Sequence, residues 1–276
     1  MKRRSNVMLT LVVTVLALIV LMTVFAPWLA PYDPLKVDMP SKLLPPCAEH
    51  LLGTDALGRD VLSRIIYGGR ASLLLAVVAT CLSMGVGLAL GVVAGYCGGA
   101  VDGLITGVSN VFQGLPGMIL MIALVGVLSS DTRSILLALV ITSWVGFSRM
   151  VRGEVMRVKG EGYIEGMRCL GAGHLHIILK NILPNIRATL IVLFTTRVGR
   201  VVLSVSGLSY LGLGIQPPTP DWGAMISGSA RRYFRTSPHL LWAPGLCIIV
   251  LTLCINVLGD LLRDRFDVKK DAVKEW

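Results

Sequence analysis

Long runs of apolar residues separated by short polar segments dominate the chain. Six of these runs come close to the roughly 20 residues that a helix needs to cross the hydrocarbon core of a bilayer. They lie at approximately residues 7–26, 71–96, 104–128, 134–150, 188–213 and 240–262. Backbone groups in lipid must be hydrogen-bonded internally, and the chain lacks the residue alternation of a membrane barrel. The pattern therefore predicts an all-α, polytopic membrane protein with six transmembrane helices.

The composition agrees with this class. Of the 276 residues, 54% are hydrophobic and 15% are charged, and the mean hydropathy is +0.74. A soluble domain of this length needs more surface charge and could not hide so much apolar chain. The net charge of +10 does not indicate a nucleic-acid partner, because the basic residues stand at helix ends, where anionic lipid headgroups attract them.

The basic residues also orient the helices. If the N-terminus is cytosolic, the inner segments hold 15 Lys and Arg residues and the outer segments hold 9. An excess of positive charge on the cytosolic side is the usual arrangement in membrane proteins. We therefore expect both termini, and the polar segment at residues 161–184, on the cytosolic side.

The first apolar run has a second interpretation, a secretory signal peptide. Lys2, Arg3 and Arg4 precede the run, and Val24-Phe25-Ala26 is loosely similar to a cleavage site. However, the run of about 20 residues is longer than the usual hydrophobic region of a signal peptide, and five more spans follow it. We expect an uncleaved helix.

Residues 161–184, EGYIEGMRCLGAGHLHIILKNILP, form a polar, charged island in this apolar chain. Gly171-Ala172-Gly173 interrupts the island, and glycine is costly inside helices but common at their ends. The predicted structure is a helix, a turn and a second helix. The first helix carries Glu165 and Arg168 on one face, and the second has an apolar side made of Ile177, Ile178 and Ile182. Such a helix suits docking of another protein; the alternative is a solvated loop.

Cysteine and histidine residues raise the question of a metal site. Cys169, His174 and His176 lie in the polar island, and both residue types ligate soft and borderline metals. The competing interpretation, that these side chains are solvated or face a partner, is the one we favour, so we predict no metal site. None of the six cysteines forms a CxxC pair, and a disulfide framework is not expected.

Three residues inside the apolar runs are unusual. Arg197 and Arg200 fall roughly 14 to 18 Å into the fifth run, and their spacing puts both on one face. Charge at that depth usually faces a cavity or a partner, but both side chains could reach the inner interface if the helix begins later. Pro116, close to Gln113, breaks the third run near its middle, and a bend that lines a pore is one interpretation.

The polar island resembles the cytosolic loop of bacterial ABC importer permeases. In that family a glutamate, two small residues, a glycine six positions after the glutamate and a terminal Leu-Pro recur. Gly166 and Met167 depart from this pattern, since two alanines are usual there. The resemblance implies a coupling helix that sits in a cleft of a separate ATPase subunit, and the implied coupling residues are Glu165, Gly166, Arg168, Gly171, Ala172, Leu183 and Pro184.

The rest of the chain is similar to the dipeptide, oligopeptide and nickel permeases, and among them to the second of two nonidentical membrane subunits. The motifs are, in chain order, PWLAPYDP at 27–34, HLLGTDALGRD at 50–60, LSYLGLG at 208–214, PPTPDWG at 217–223 and GDLLRD at 259–264. The resemblance implies the type I ABC importer permease fold in the bacterial cytoplasmic membrane. It also implies an N-terminal helix with a periplasmic segment at 1–70, a permease domain at 71–262 with its coupling loop at 151–187, and a cytosolic tail at 263–276.

The energy source is expected on other polypeptides. No GxxxxGK[ST] nucleotide-binding loop occurs in the chain, so ATP must be hydrolysed elsewhere. We expect no enzymatic activity and no bound cofactor in this chain, and ATP on partner subunits. The implied partners are a second homologous permease subunit, two ATP-binding subunits and an extracytoplasmic substrate-binding protein. Arg197, Arg200 and Pro116 are the candidates for the translocation path or for contact with the partner permease.

Other functional classes explain less of the chain. The zinc-protease motif HExxH is absent, and Ser204-Val205-Ser206-Gly207 is not the GxSG of an intramembrane serine protease. Hydropathy alone does not exclude a secondary transporter, but that class leaves the cytosolic motif unexplained. The cargo is left open between nickel, as ion or chelate, and di- or oligopeptides. The resemblance gives two reasons to favour nickel. The chain is compact, as nickel-type second permeases tend to be, and Val205 stands at a position where peptide-type relatives usually have an acid.

Overall fold

The structure is a computed structural model that describes residues 2–129 and 131–266. Within these ranges the regular structure is helical, apart from one isolated bridge between Thr54 and Asp60. A 3-10 turn covers Met39–Ser41, and a π turn covers Ile178–Ile182. The α-helices of the described residues are α1 (Lys2–Val24), α2 (Ala26–Leu29), α3 (Val61–Cys97), α4 (Gly99–Gly114), α5 (Gly117–Leu128), α6 (Thr132–Lys159), α7 (Gly162–Cys169), α8 (His174–Ile177), α9 (Leu183–Tyr210), α10 (Trp222–Tyr233) and α11 (His239–Phe266).

The long helices match the predicted membrane spans. Among the described residues, five helices are long and apolar enough to cross a membrane: Asn6–Val24, Val61–Cys97, Thr132–Lys159, His174–Tyr210 and His239–Phe266. Helices α4 and α5 form a sixth if the bent pair counts as one span. The all-α fold is confirmed, and the count of six spans holds with the bent pair included.

The bend between α4 and α5 lies where the sequence places a break. The two helices meet at 88°. Leu115, between them, has the extended backbone (φ −97°, ψ 136°) that a following proline imposes, and Pro116 then starts α5. The predicted break at Pro116 is therefore confirmed as a bend of the third span.

Helix α3 begins ten residues before residue 71, where the predicted apolar span starts. Asp60 caps the helix, because its carboxylate accepts hydrogen bonds from the Ser63 amide and hydroxyl, both at 2.7 Å. Gly69 stays helical because Trp222 packs on it: an added Cβ would lie 2.7 Å from Trp222 Cζ2. The Trp222 indole also donates to the Ile65 carbonyl at 2.9 Å. Contacts from a segment distant in sequence thus extend this helix.

Helices α3 and α6 run side by side in the same direction with closely apposed backbones. Gly87, Gly91 and Gly95 line the α3 side of this contact, and a Cβ on any of them would come closer than 3.0 Å to atoms of α6. Small residues at such regular spacing allow close helix approach in membranes. We therefore treat α3 and α6 as one packed unit.

The bundle has two distinct ends. At the loop end, defined by α7 and α8, the last turns of α3, α6 and α11 meet the start of α9. The opposite end carries the segments at residues 25–60 and 211–238. There the Asp55 carboxylate pairs with Arg59 at 2.8 Å and with Arg64 at 3.4 Å. Both ends are thus ordered by specific polar contacts.

Candidate functional site

The polar island folds as the predicted helix and turn. Helix α7 ends at Cys169, and Gly171 adopts a left-handed backbone with φ +84°. The Gly171 amide then donates to the Arg168 carbonyl at 2.9 Å, and the Ala172 amide donates to the Met167 carbonyl at 3.0 Å. This is the Schellman arrangement, in which glycine at the left-handed position satisfies the last carbonyls of a helix. Gly171 is therefore required by the turn itself.

The second helix of the island differs from the prediction. Helix α8 covers only His174–Ile177 and continues through the π turn Ile178–Ile182 into α9. Pro184 is the second residue of α9, which directly follows the π turn, so its missing N–H removes one helical hydrogen bond at this junction. The residues from His174 to Tyr210 form one continuous helical path, so α8 and α9 are joined without a break.

A small apolar core fixes the island to the membrane helices. Ile164 of α7, Ile177 of α8 and Ile182 are fully buried. They pack with a set of buried side chains from the ends of α3, α6 and α9: Tyr96, Val151, Val155, Val158 and Ile186. The predicted apolar side of the second helix is thus turned inward, with Ile178 partly buried at its edge. The island is an anchored element and not a solvated loop.

The outer face of the island is exposed and mixes charge with apolar side chains. The Leu170 and Leu175 side chains are 89% and 74% exposed. The predicted coupling residues divide between this face and the core: Glu165, Gly166, Arg168, Gly171 and Pro184 are exposed, whereas Ala172 and Leu183 pack against the apolar core. A Cβ on Gly166 would meet no atom within 4 Å, so the chain itself has room for the alanine that is usual there.

Tyr96, which was not among the predicted site residues, connects the island to the membrane helices through several polar contacts. It is buried at the end of α3. Its hydroxyl lies 2.8 Å from His174 Nδ1, and the Arg168 guanidinium lies 5.4 Å from its ring centroid. Lys159 Nζ donates to the Tyr96 carbonyl at 2.6 Å. An aromatic residue at the end of an apolar run, just before Gly98-Gly99, was the only sequence signal for this position.

A cavity of about 600 Å³ opens beside the island, between α6, α9 and α11. Five of its lining residues are charged, namely Glu154, Arg197, Arg200, Asp260 and Arg263, and several others are apolar. Glu154 is paired with Arg157 at 2.8 Å. Within the described ranges, no carboxylate lies within 4.0 Å of the guanidinium of Arg197, Arg200 or Arg263. The cavity therefore presents three arginines that lack an ion-pair partner within the described ranges, beside the carboxylates of Glu154 and Asp260.

Arg197 reaches across this cavity to α6. Its guanidinium lies 5.7 Å from the Phe147 ring centroid and directly over Gly146, where an added Cβ would overlap it. Helix α9 begins at Leu183, which places Arg197 roughly 21 Å along the helix at about 1.5 Å per residue. The helix thus begins earlier, not later, than predicted, and a role of Arg197 in the cavity stays a prediction. Arg200, one turn further, is exposed to the same cavity.

Pro116 lies outside this cavity, on the α4–α5 bend. Two contacts hold α4 against α6: Arg149 donates to Gln113 near the bend, and Arg152 binds the carboxylate of Asp102, in the first turn of α4, with two hydrogen bonds at 2.5 Å. Met118, just after the bend, touches Gly207 of α9. The structure therefore brings Arg197 and Arg200 together but leaves Pro116 apart from them.

The cysteine and histidine residues of the island do not converge. His174 contacts Tyr96, whereas Cys169 and His176 are exposed. Over residues 2–129 and 131–266, no group of three or more His, Cys, Asp or Glu side chains is placed to hold a metal ion.

Comparisons with known proteins identify the family to which the chain is similar. The family model described as "Binding-protein-dependent transport system inner membrane component" matches residues 87–270. A second model, "N-terminal TM domain of oligopeptide transport permease C", matches residues 4–46. The chain is 37% identical over 264 residues to the nickel transport system permease protein NikC of Escherichia coli (strain K12), covering 96% of this chain and 94% of that protein.

A second relative is named for the transport of a different substrate. The glutathione transport system permease protein GsiD of Escherichia coli O6:K15:H31 (strain 536 / UPEC) is 40% identical over 268 residues, covering 97% of this chain and 88% of that protein. Among solved structures, an inward facing conformation of the MetNI methionine ABC transporter matches with a TM-score of 0.61 and 18% identity, covering 74% of this chain and 96% of that chain. The latter match supports the type I importer permease fold. The chain belongs to the family of binding-protein-dependent transport system inner membrane components, as a C-type permease subunit of an ABC importer.

Proposed function

We propose that α7 and α8 form the surface on which a separate ATPase subunit docks, and that ATP binding and hydrolysis on that subunit drive transport. One observation carries the proposal: a face with exposed Leu170, Leu175 and Glu165 stands on a buried apolar core. Exposed leucines on a rigid support suit burial in a partner's cleft. This chain then contributes movement but no chemistry, and ATP belongs to the partner subunits.

The proposed orientation puts the loop end in the cytosol. The excess of basic residues in the segments at this end supports that orientation, with both termini on the same side. The opposite end, with the segments at residues 25–60 and 211–238, then faces the extracytoplasmic substrate-binding protein. Family membership supports ATPase and substrate-binding partners in general. The complex of two nonidentical permeases with two ATP-binding subunits is our proposal.

The cavity between α6, α9 and α11 is proposed as the inner part of the translocation path. Arg197 and Arg200 support this role, since unpaired charge inside a spanning bundle usually faces a water-filled cavity or a partner. The bend at Pro116 is proposed as a second element of the path, where α5 meets α9 through Met118 and Gly207. If the partner permease supplies carboxylates to the two arginines, these residues serve the contact between the subunits instead.

The cargo is proposed to be nickel, as ion or chelate, or a di- or oligopeptide. The two relatives named for nickel and for glutathione transport support this range. Uptake of labelled nickel and of a labelled dipeptide should be measured in a deletion strain with and without this chain. Restoration of one of them assigns the cargo, and restoration of neither contradicts the proposed range.

Copurification tests the docking proposal independently of cargo. Affinity capture of the tagged full-length chain from its native membrane should bring down an ATP-binding subunit. A secondary transporter or an intramembrane protease would bring down none, so capture without an ATPase would contradict the proposal.

A further inference from the structure

We propose that Tyr96 is a positioning residue through which movement of the α7–α8 island reaches the membrane helices; this inference rests on the proposed ATPase docking. Both arms of the island touch this one side chain. Helix α7 reaches it through the Arg168 guanidinium, 5.4 Å from the ring centroid, and α8 through His174 Nδ1, 2.8 Å from the hydroxyl. The His174 ring also meets the Tyr96 ring edge-on, with centroids 5.7 Å apart.

The contacts at Tyr96 are directional, unlike those of the surrounding apolar core. A hydrogen bond and a cation over an aromatic face both depend on position and angle, whereas the hydrophobic contacts of Ile164 and Ile177 are non-directional. Tyr96 is only 8% exposed, and its partners His174 and Arg168 approach it from the exposed side of the island. A shift of α7 or α8 therefore acts on Tyr96 with a defined direction.

Tyr96 is in turn rigidly connected to two spanning helices. It stands in the last turn of α3, and Lys159, the last residue of α6, donates from Nζ to the Tyr96 carbonyl at 2.6 Å. The preceding residue, Gly95, packs directly on Arg152 and Val155 of α6. Since close-packed helices transmit displacement, a force on Tyr96 moves α3 and α6 together.

Helix α6 also forms one wall of the charged cavity, through Met150 and Glu154. The contacts therefore run without interruption from the island to Tyr96, from Tyr96 to α3 and α6, and from α6 to the cavity. A second route exists through α8 and the π turn into α9. Tyr96 makes the two walls of the cavity respond to the same movement.

The test uses single-atom changes and a matched control in the same island. Tyr96→Phe removes only the hydroxyl that contacts His174. Tyr163→Phe removes a hydroxyl that accepts from Asn185 Nδ2 at 2.7 Å, a bond that does not involve α3. His174→Gln keeps a hydrogen-bonding group opposite Tyr96, and His174→Leu does not.

The variants are compared in the assembled complex with its partner permease and ATPase, reconstituted in lipid nanodiscs. Thr189, which lines the cavity, is changed to cysteine in a chain whose six native cysteines are serines. The measured quantity is the change in maleimide labelling rate between the nucleotide-free state and the state trapped with ATP and vanadate. The ATPase rate and the amount of captured ATPase are measured in parallel.

We expect Tyr96→Phe and His174→Leu to reduce the nucleotide-dependent change in labelling roughly fivefold, the effect of one typical hydrogen bond on a two-state equilibrium. In Tyr96→Phe, which changes no residue of the docking surface, the ATPase capture and the ATPase rate stay at the level of the unmodified chain. His174→Gln recovers part of the labelling change, and Tyr163→Phe leaves the labelling change unaltered. Equal labelling changes in Tyr96→Phe and Tyr163→Phe would overturn the inference, as would a loss of ATPase capture in Tyr96→Phe that matches the loss of labelling. An unmodified chain that captures no ATPase would instead refute the proposed function, and the inference with it.

Discussion

The charged residues of the island and those of the cavity lie at the same end of the bundle but in opposite surroundings. Glu165 and Arg168 are exposed on a short helix above a buried apolar core. Arg197 lies among spanning helices, against Phe147, and in the described part of the chain no carboxylate comes within 4.0 Å of its guanidinium. Exposed charge costs little and contributes little to stability, whereas charge inside a spanning bundle is expensive to keep. This difference supports the two proposals, docking for the island and contact with a charged species or a partner for the cavity.

The largest expected effect comes from removing the support below the docking face. Ile164→Ala leaves a void in the small apolar core, at a cost of about 2–5 kcal/mol. We expect faster amide hydrogen exchange throughout α7 and α8, measured by mass spectrometry. Leu170→Ala is the matched change on the exposed face: it should leave exchange unaltered and weaken ATPase capture. Equal exchange in the two variants would contradict the distinction between support and surface.

The next effect concerns the cavity. Replacing Arg197 and Arg200 together with leucine should lower uptake roughly tenfold or more, since a hydrogen bond to a charged group contributes about 1.5–3 kcal/mol. Uptake of labelled nickel and labelled dipeptide, normalised to the amount of assembled complex, measures the change. Assembly should be retained. Unchanged uptake would exclude a role of these arginines in the path.

A smaller effect is expected at the turn of the island. Gly171→Val forces a branched side chain into a left-handed conformation at φ +84°, which costs about 1–2 kcal/mol. The distorted turn should uncouple ATP hydrolysis from uptake, measured as cargo moved per ATP in reconstituted vesicles. Gly173→Ala is the control, because Gly173 has φ −68° and open space around it. Normal coupling in Gly171→Val would show that the turn geometry does not matter.

The smallest effect is a gain in stability. Gly166→Ala adds a methyl group into open space on an exposed helical turn, and should stabilise α7 by about 0.5–1 kcal/mol. Slower amide exchange in α7 with undiminished ATPase capture is the expected result. Lost capture would mean that the partner fits closely against Gly166, so that the departure from alanine at this position is a matched feature of the interface.

Hydropathy was sufficient to predict the spanning helices, because each is encoded by a continuous apolar run. The break at Pro116 was also predictable from local sequence, because proline restricts the backbone of the residue before it. The start of α3 was missed although Asp60 is a local capping residue, because Gly68 and Gly69 disfavour a helix in the sequence and pack against Trp222, far along the chain. Local sequence patterns carry no information about such distant contacts.

In the candidate site, too, features set by local sequence were predictable and features set by distant contacts were not. The turn at Gly171 follows from glycine chemistry and was predictable. Tyr96 was missed because its partner His174 lies 78 positions away, and the position of Arg197 over Gly146 likewise depends on how α9 crosses α6. The coupling roles of Glu165, Gly166, Arg168, Gly171, Ala172, Leu183 and Pro184 stay predictions until they are tested in the assembled complex.

Capture of the ATPase by two charge-insertion variants tests the docking face most directly. Leu170→Asp places a carboxylate on the exposed face of the island, where the leucine is 89% exposed, and Leu51→Asp does the same at the opposite end, where the leucine is 64% exposed. Neither change disturbs a buried contact, so both variants should fold. We expect Leu51→Asp to capture as much ATPase as the unmodified chain and Leu170→Asp to capture little. Equal capture by the two variants would contradict the assignment of α7 and α8 as the docking surface.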